Sequence, residues 1–177
     1  MTKLIKIITL IFISLSIMAC SSPSLDKHLG STPELKLETF FQGELVAYGM
    51  VLDRSGNLLR RFNVKMMADW QGNKGEIKEW FEFDDGEKSI RIWQLEKVGN
   101  NNYIGQAADV IGIAKGRTQG SALYWQYDLE IEVEGENYTV TLDDWMFLLD
   151  QDRLFNKTDM TKFGFKVGEI IIYIEKL

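Results

Sequence analysis

The chain has 177 residues and a net charge of −6, enough for one domain with a sizeable core and an acidic body that suits neither nucleic acid nor anionic lipid. It has one histidine, His28, and one cysteine, Cys20. That count excludes a Ser-His-Asp or Cys-His nucleophile, a protein-only zinc site of the usual ligand types and a haem His/Met pair within the body, so any catalysis would rest on carboxylates, Tyr, Lys or Arg.

Lys3 and Lys6 precede an uncharged apolar stretch from Ile7 to Met18, a secretory signal too short for a good spanning helix. The segment Ile17-Met18-Ala19-Cys20 resembles a bacterial lipobox, which implies cleavage before Cys20 and acylation of that residue. A lone thiol is otherwise unusual in an oxidising compartment, and several acyl chains anchor stably where one does not. Ser21 resembles the outer-membrane sorting pattern, placing the body on the periplasmic side of the outer membrane. The resulting division is a signal peptide at 1–19, a lipidated N-terminus and flexible tether at 20–34, and a single β-barrel domain at 35–177.

Leu37 to Leu52 reads as one long β-type segment, with Gly43 and Gly49 marking a bend or close backbone approach. After the turn Asp53-Arg54-Ser55-Gly56-Asn57, the run Leu58 to Ala68 puts Phe62, Val64 and Met66 on one face. Ile77, Glu79, Phe81 and Phe83 share a face of the next run, which turns at Asp84-Asp85-Gly86. A three-residue loop with Gly86 left-handed pairs Phe83 with Glu87, Phe81 with Ser89, Glu79 with Arg91 and Ile77 with Trp93. A two-residue loop would reverse the parity and set Trp80 opposite Arg91; the first register is preferred because it matches an acid with a base. Tyr103 to Gly116 is a strand of small residues, either letting a large neighbour in or leaving room for a ligand, with packing the favoured explanation.

The clearest pattern runs from Leu123 to Met146. Leu123, Trp125, Tyr127, Leu129, Ile131 and Val133 alternate with polar residues, Glu134-Gly135 breaks the run, and Tyr138, Val140 and Leu142 resume it. A two-residue loop pairs Val133 with Glu136, Leu129 with Val140, Tyr127 with Leu142 and Trp125 with Asp144, which brings the apolar faces together and carries Asp144 onto them. Leu154 to Phe165 and Val167 to Lys176 close the chain as strands, and the fold expected is all-β, an antiparallel up-and-down barrel of about eight to ten strands.

The spaced elements Phe41-Gln42-Gly43, Asp53-Arg54-Ser55-Gly56, Asp85-Gly86-Glu87, Arg91-Ile92-Trp93, Tyr103-Ile104-Gly105, Asp109-Val110-Ile111-Gly112, Asp143-Asp144-Trp145-Met146 and Lys162-Phe163-Gly164 resemble the proteobacterial lipoprotein family catalogued as domain of unknown function 3833. That family brings no assigned activity or site residues. The succession of long strands is also loosely similar to lipocalin-type barrels, although their first-strand Gly-x-Trp mark is absent.

Adjacent strand residues face opposite ways, so Asp143 and Asp144 form no carboxylate pair on one face. Asp84, Asp85, Glu87, Asp150 and Asp152 read as solvated turns. The inward candidates for a ligand site are Glu79, Arg91, Asp144, Trp93, Trp125 and Tyr127, with Asp109 from the resembling elements, and no cofactor, metal or catalytic residue is assigned. Charges among such aromatics require partners, so Arg91 is expected to bond Glu79 or Asp144, either as a scaffold bridge or as a fork with donors left for a ligand carboxylate. Three functions stay open. One is a barrel holding an acyl chain, fatty acid or other small apolar molecule. Another is a structural partner of envelope proteins, contacted through exposed aromatics such as Trp80. The third is an enzyme with Glu79 or Asp144 as general base.

Overall fold

The computed structural model describes residues 23–133 and 135–177. Cys20, the lipobox and the signal stretch lie outside the described residues. Within them, a short 3-10 turn (Leu25–His28) and one helical turn, α1 (Leu37–Phe40), lead into ten strands: β1 (Gly43–Asp53), β2 (Leu58–Gln71), β3 (Lys74–Phe83), β4 (Lys88–Lys97), β5 (Asn102–Gln106), β6 (Val110–Gln119), β7 (Ala122–Val133), β8 (Glu136–Leu148), β9 (Arg153–Lys162) and β10 (Phe165–Lys176). Every pairing is antiparallel between sequence neighbours, and β1 closes on β10 from Leu45 opposite Lys176 to Asp53 opposite Gly168. The molecule is therefore a closed up-and-down barrel, all-β as the alternation requires, and closure leaves no sheet edge at the β1–β10 seam.

Both hairpin registers follow from the side-chain parity. Glu79 stands opposite Arg91 and Ile77 opposite Trp93. The Phe83 amide donates to the Glu87 carbonyl at 2.9 Å, and Gly86 has φ +89°, the three-residue loop with its left-handed glycine. On the other hairpin, Trp125 faces Asp144, Tyr127 faces Leu142 and Leu129 faces Val140. The small-residue stretch is two strands, β5 and β6, separated at 107–109, rather than one. Packing explains its lack of volume: a Cβ on Gly116 would lie 1.6 Å from the Trp125 ring, and one on Gly105 would lie 2.8 Å from both Leu95 and Trp125. The strand is thin because an indole lies across it.

Two expectations for the N-terminal part are corrected. Residues 25–34, read as tether, are seated against the barrel. Leu25 is buried, the Leu35 amide donates to the Gly120 carbonyl at 2.8 Å, and the Ser31 hydroxyl lies 3.0 Å from that of Ser121. Gly120, at φ +54°, permits the approach, since a Cβ there would meet the His28 carbonyl at 2.0 Å. The segment read as a strand from Leu37 begins instead as α1, because Leu37, Phe40 and Phe41 all enter the same end of the barrel and one helical turn points them together. Tyr103 donates to Glu38 at 2.8 Å and Lys97 pairs with the same carboxylate, fixing the plug to β4 and β5. This is the end at which β2–β3, β4–β5, β6–β7 and β8–β9 turn.

The wall is thinnest on one side. β5 is short and pairs with β4 only from Gln94 to Lys97 and with β6 only from Ala114 to Arg117. Lys88–Trp93 and Val110–Ile113 therefore flank a notch without ladder bonds across it, among the described residues. Ile90, Ile92, Ile111 and Ile113 stand exposed along its lips.

Candidate functional site: the barrel lumen

The barrel is hollow. Inward side chains of β1–β4 and β7–β10 border a cavity of about 680 Å³, floored by Leu37 and Phe41 of the plug and reaching the opposite rim at Leu59, Glu132 and Val167. Its wall is mostly aliphatic and aromatic, including Phe62, Ile77, Phe81, Trp93, Trp125, Leu129, Met146, Ile170 and Ile172. That volume sits inside the range of about 300–1,000 Å³ usual for small-molecule pockets. Trp93 packs edge-on against both Trp125 and Tyr127, with ring centroids 6.3 and 5.3 Å apart, so these aromatics are fixed in position.

Polar groups converge at one level of this apolar wall. Glu79 from β3, Arg91 from β4, Tyr127 from β7, Asp144 from β8 and Asn156 and Thr158 from β9 all border the cavity. The expected bond from Arg91 to Glu79 or Asp144 is not made. Arg91 Nε and Nη2 instead donate to Asp109 Oδ2 at 2.9 and 2.5 Å, spanning the notch between β4 and the start of β6. Pairing opposite in the ladder brings Cα atoms together but leaves a long guanidinium free to lean along the strand. Here it leans to an acid that the hairpin registers did not place.

Asp144 is 4% exposed and held from within. Asn156 Nδ2 donates to its Oδ1, and the Tyr127 hydroxyl lies 3.5 Å from its Oδ2. Burial pushes its pKa up to about 6 against the pull of its bonds to Asn156, Thr158 and Tyr127. Asn156 and Thr158 were missed in the sequence, although they share strand parity with Leu154 and Met160, and that signal would have placed them inside. Glu79 differs from Asp144. Its Oε2 atom is enclosed and has no hydrogen-bond partner among the described residues. Burial pushes its pKa up to about 7; the Arg91 charge pulls it down, while Asp109 and Asp144 add to the rise. Burial works against the Arg91 charge as well, but Glu79, Tyr127 and Asp109 hold its pKa above the ordinary value. The Tyr127 hydroxyl is held well above its ordinary pKa by burial and by Asp144.

The remaining candidates are accounted for locally. Asp84 binds Arg61, while Asp85 and Glu87 both bind Arg60, so those acids fasten the β3–β4 loop to β2. Asp150 accepts from the Asp152 and Arg153 amides and caps its own turn. The His28 ring lies against Phe147, 5.6 Å between centroids, on the outside of the plugged end.

Fold and lumen together define a class: a ten-stranded antiparallel barrel, plugged at one end by its own N-terminal segment, with a largely apolar cavity and a small buried polar cluster. Residues 14–176 match the family described as protein of unknown function (DUF3833), nearly the whole chain, and the chain belongs to that family. No curated protein matches it.

Proposed function

We propose that this protein is a non-enzymatic binding module that holds an acyl chain or another small apolar molecule in its lumen, and that Cys20 anchors it by lipid to the periplasmic face of the outer membrane. The observation that carries the binding reading is the cavity of about 680 Å³, bordered by Trp93, Trp125, Phe81 and the isoleucines of β10 rather than filled by them. An apolar space of that size offers a bound chain dispersion contacts along its whole wall. The few polar groups at one level give such a guest an orientation.

A contact role with an envelope protein is the second reading. It is favoured by the outer face of β1 to β4, where Tyr48, Trp80, Ile90 and Ile92 are exposed near one another in the ladder. The two readings separate in native mass spectrometry of protein taken from its own membrane. The binding reading expects one added small-molecule mass per chain, extractable into organic solvent. Bare protein that is recovered only with a second polypeptide supports the contact reading.

A further inference from the structure

We infer that the lumen ligand carries a basic nitrogen at its polar end, seated on the Glu79 carboxylate, rather than a carboxylic acid captured by Arg91. The inference rests on the lumen being the binding site and specifies the chemistry of its guest. At this level of the lumen three acids, Glu79, Asp109 and Asp144, stand around one cation, Arg91; the other cation on the cavity wall, Arg60 near the rim, is held by Asp85 and Glu87. One edge of the Arg91 guanidinium, Nε and Nη2, is already turned onto Asp109 Oδ2. Asp144 is occupied by Asn156 and, at longer range, by Tyr127. Asp109 also has one enclosed oxygen without a partner, but its other oxygen holds Arg91; Glu79 is the acid left over, with an enclosed oxygen that no described residue satisfies and no ion pair among the described residues.

A buried carboxylate without a partner is costly, and a group that supplies an N–H donor and a positive charge relieves that cost directly. A ligand carboxylate would add a fourth acid to the same space. The groups facing Glu79 are Arg91 on β4, Asp109 ahead of β6, Tyr127 on β7 and Asp144 on β8, while its β2 neighbour, Met66, is uncharged. No second protein cation competes for it among them. The wall beyond, from Phe81 and Trp93 to Ile170 and Ile172, is apolar and suits an alkyl chain. Such a ligand is amphiphilic, and Glu79 sets which end it places inside.

The test uses dodecylamine, dodecanol and dodecanoic acid below their aggregation limits, titrated into the full chain and followed by fluorescence of the lumen tryptophans. At pH 8 the amine is expected to bind at least tenfold tighter than the alcohol, and the acid no tighter than the alcohol. The amine's advantage should shrink as the pH falls to 5.5, where Glu79 takes up its proton. Glu79→Gln should bring the ratio of amine to alcohol affinity close to one. Tightest binding by the acid overturns the inference, and so does an amine advantage that survives Glu79→Gln, because the acidic exterior would then be its source. Binding of all three with equal affinity also overturns it while leaving the lumen reading intact. Failure of all three to bind removes the lumen reading itself.

Discussion

At the scale of single residues, the polar cluster is short of positive charge. Arg91 is the one cation facing Glu79, Asp109 and Asp144, so replacing it leaves up to three acids unneutralised. Arg91→Met is expected to cost about 2–4 kcal/mol at pH 8. The cost should be clearly smaller at pH 5, where Glu79 and Asp144 are mostly protonated, their pKa values standing at about 7 and about 6. Urea unfolding at the two pH values measures this, and an equal loss at both would count against the burial of those acids. Glu79 gives a second prediction with a definite sign. Its folded pKa, about 7, is raised from an unfolded 4.5, so its stabilising effect is complete below about 4.5 and is lost as the pH climbs through 7. The unfolding free energy of the wild type relative to that of Glu79→Gln should therefore fall across that window by an amount on the order of 3 kcal/mol, measured by urea unfolding at pH 4.5 and pH 8. The inward position of Glu79, Arg91 and Asp144 was legible from strand parity. The bond from Arg91 to Asp109 was not, because alternation gives the face of a residue and not the direction in which a long side chain leans.

At the scale of elements, the N-terminal segment is part of the body. The Ser, Gly and Pro content of residues 20–34 reads as tether because those residues serve turns as readily as linkers, and nothing in composition reports that Leu25 is buried or that Ser31 meets Ser121. Phe40 and Phe41 meet edge to face, 5.0 Å between centroids, both 3% exposed. Phe41 also floors the cavity, so Phe41→Ala is expected to lose about 3–5 kcal/mol in denaturant unfolding and to enlarge the lumen. A loss below about 1 kcal/mol would contradict the place of Phe41 in the core. The glycine-rich strands were read correctly as packing partners, since Gly105 and Gly116 lie under Trp125. The break between β5 and β6 was not visible, because Gln106 to Asp109 holds no strong turn pair, yet it is this break that opens the notch bridged by Arg91 and Asp109.

At the scale of the whole molecule, ten successive antiparallel neighbours joined by short turns leave β1 and β10 as the free edges, and their pairing completes the barrel. Strand number and order were therefore legible from alternation and turn chemistry. Hollowness was not, since the same inward residues could have met across a narrower barrel, and only the three-dimensional tilt and plug decide what space remains. The cavity and the Glu79 oxygen that no described residue satisfies lie on one interior, which points to an enclosed guest. The most direct measurement is the affinity of one environment-sensitive apolar probe for three forms of the chain: wild type, Ile170→Trp and Trp80→Ala. Ile170 borders the cavity, so an indole there occupies the space of the guest, whereas Trp80 stands on the outer face. At least a tenfold loss of affinity is expected in Ile170→Trp and no change in Trp80→Ala. Undiminished binding in Ile170→Trp together with loss in Trp80→Ala would contradict binding in the lumen and move the binding surface to the outside of the barrel.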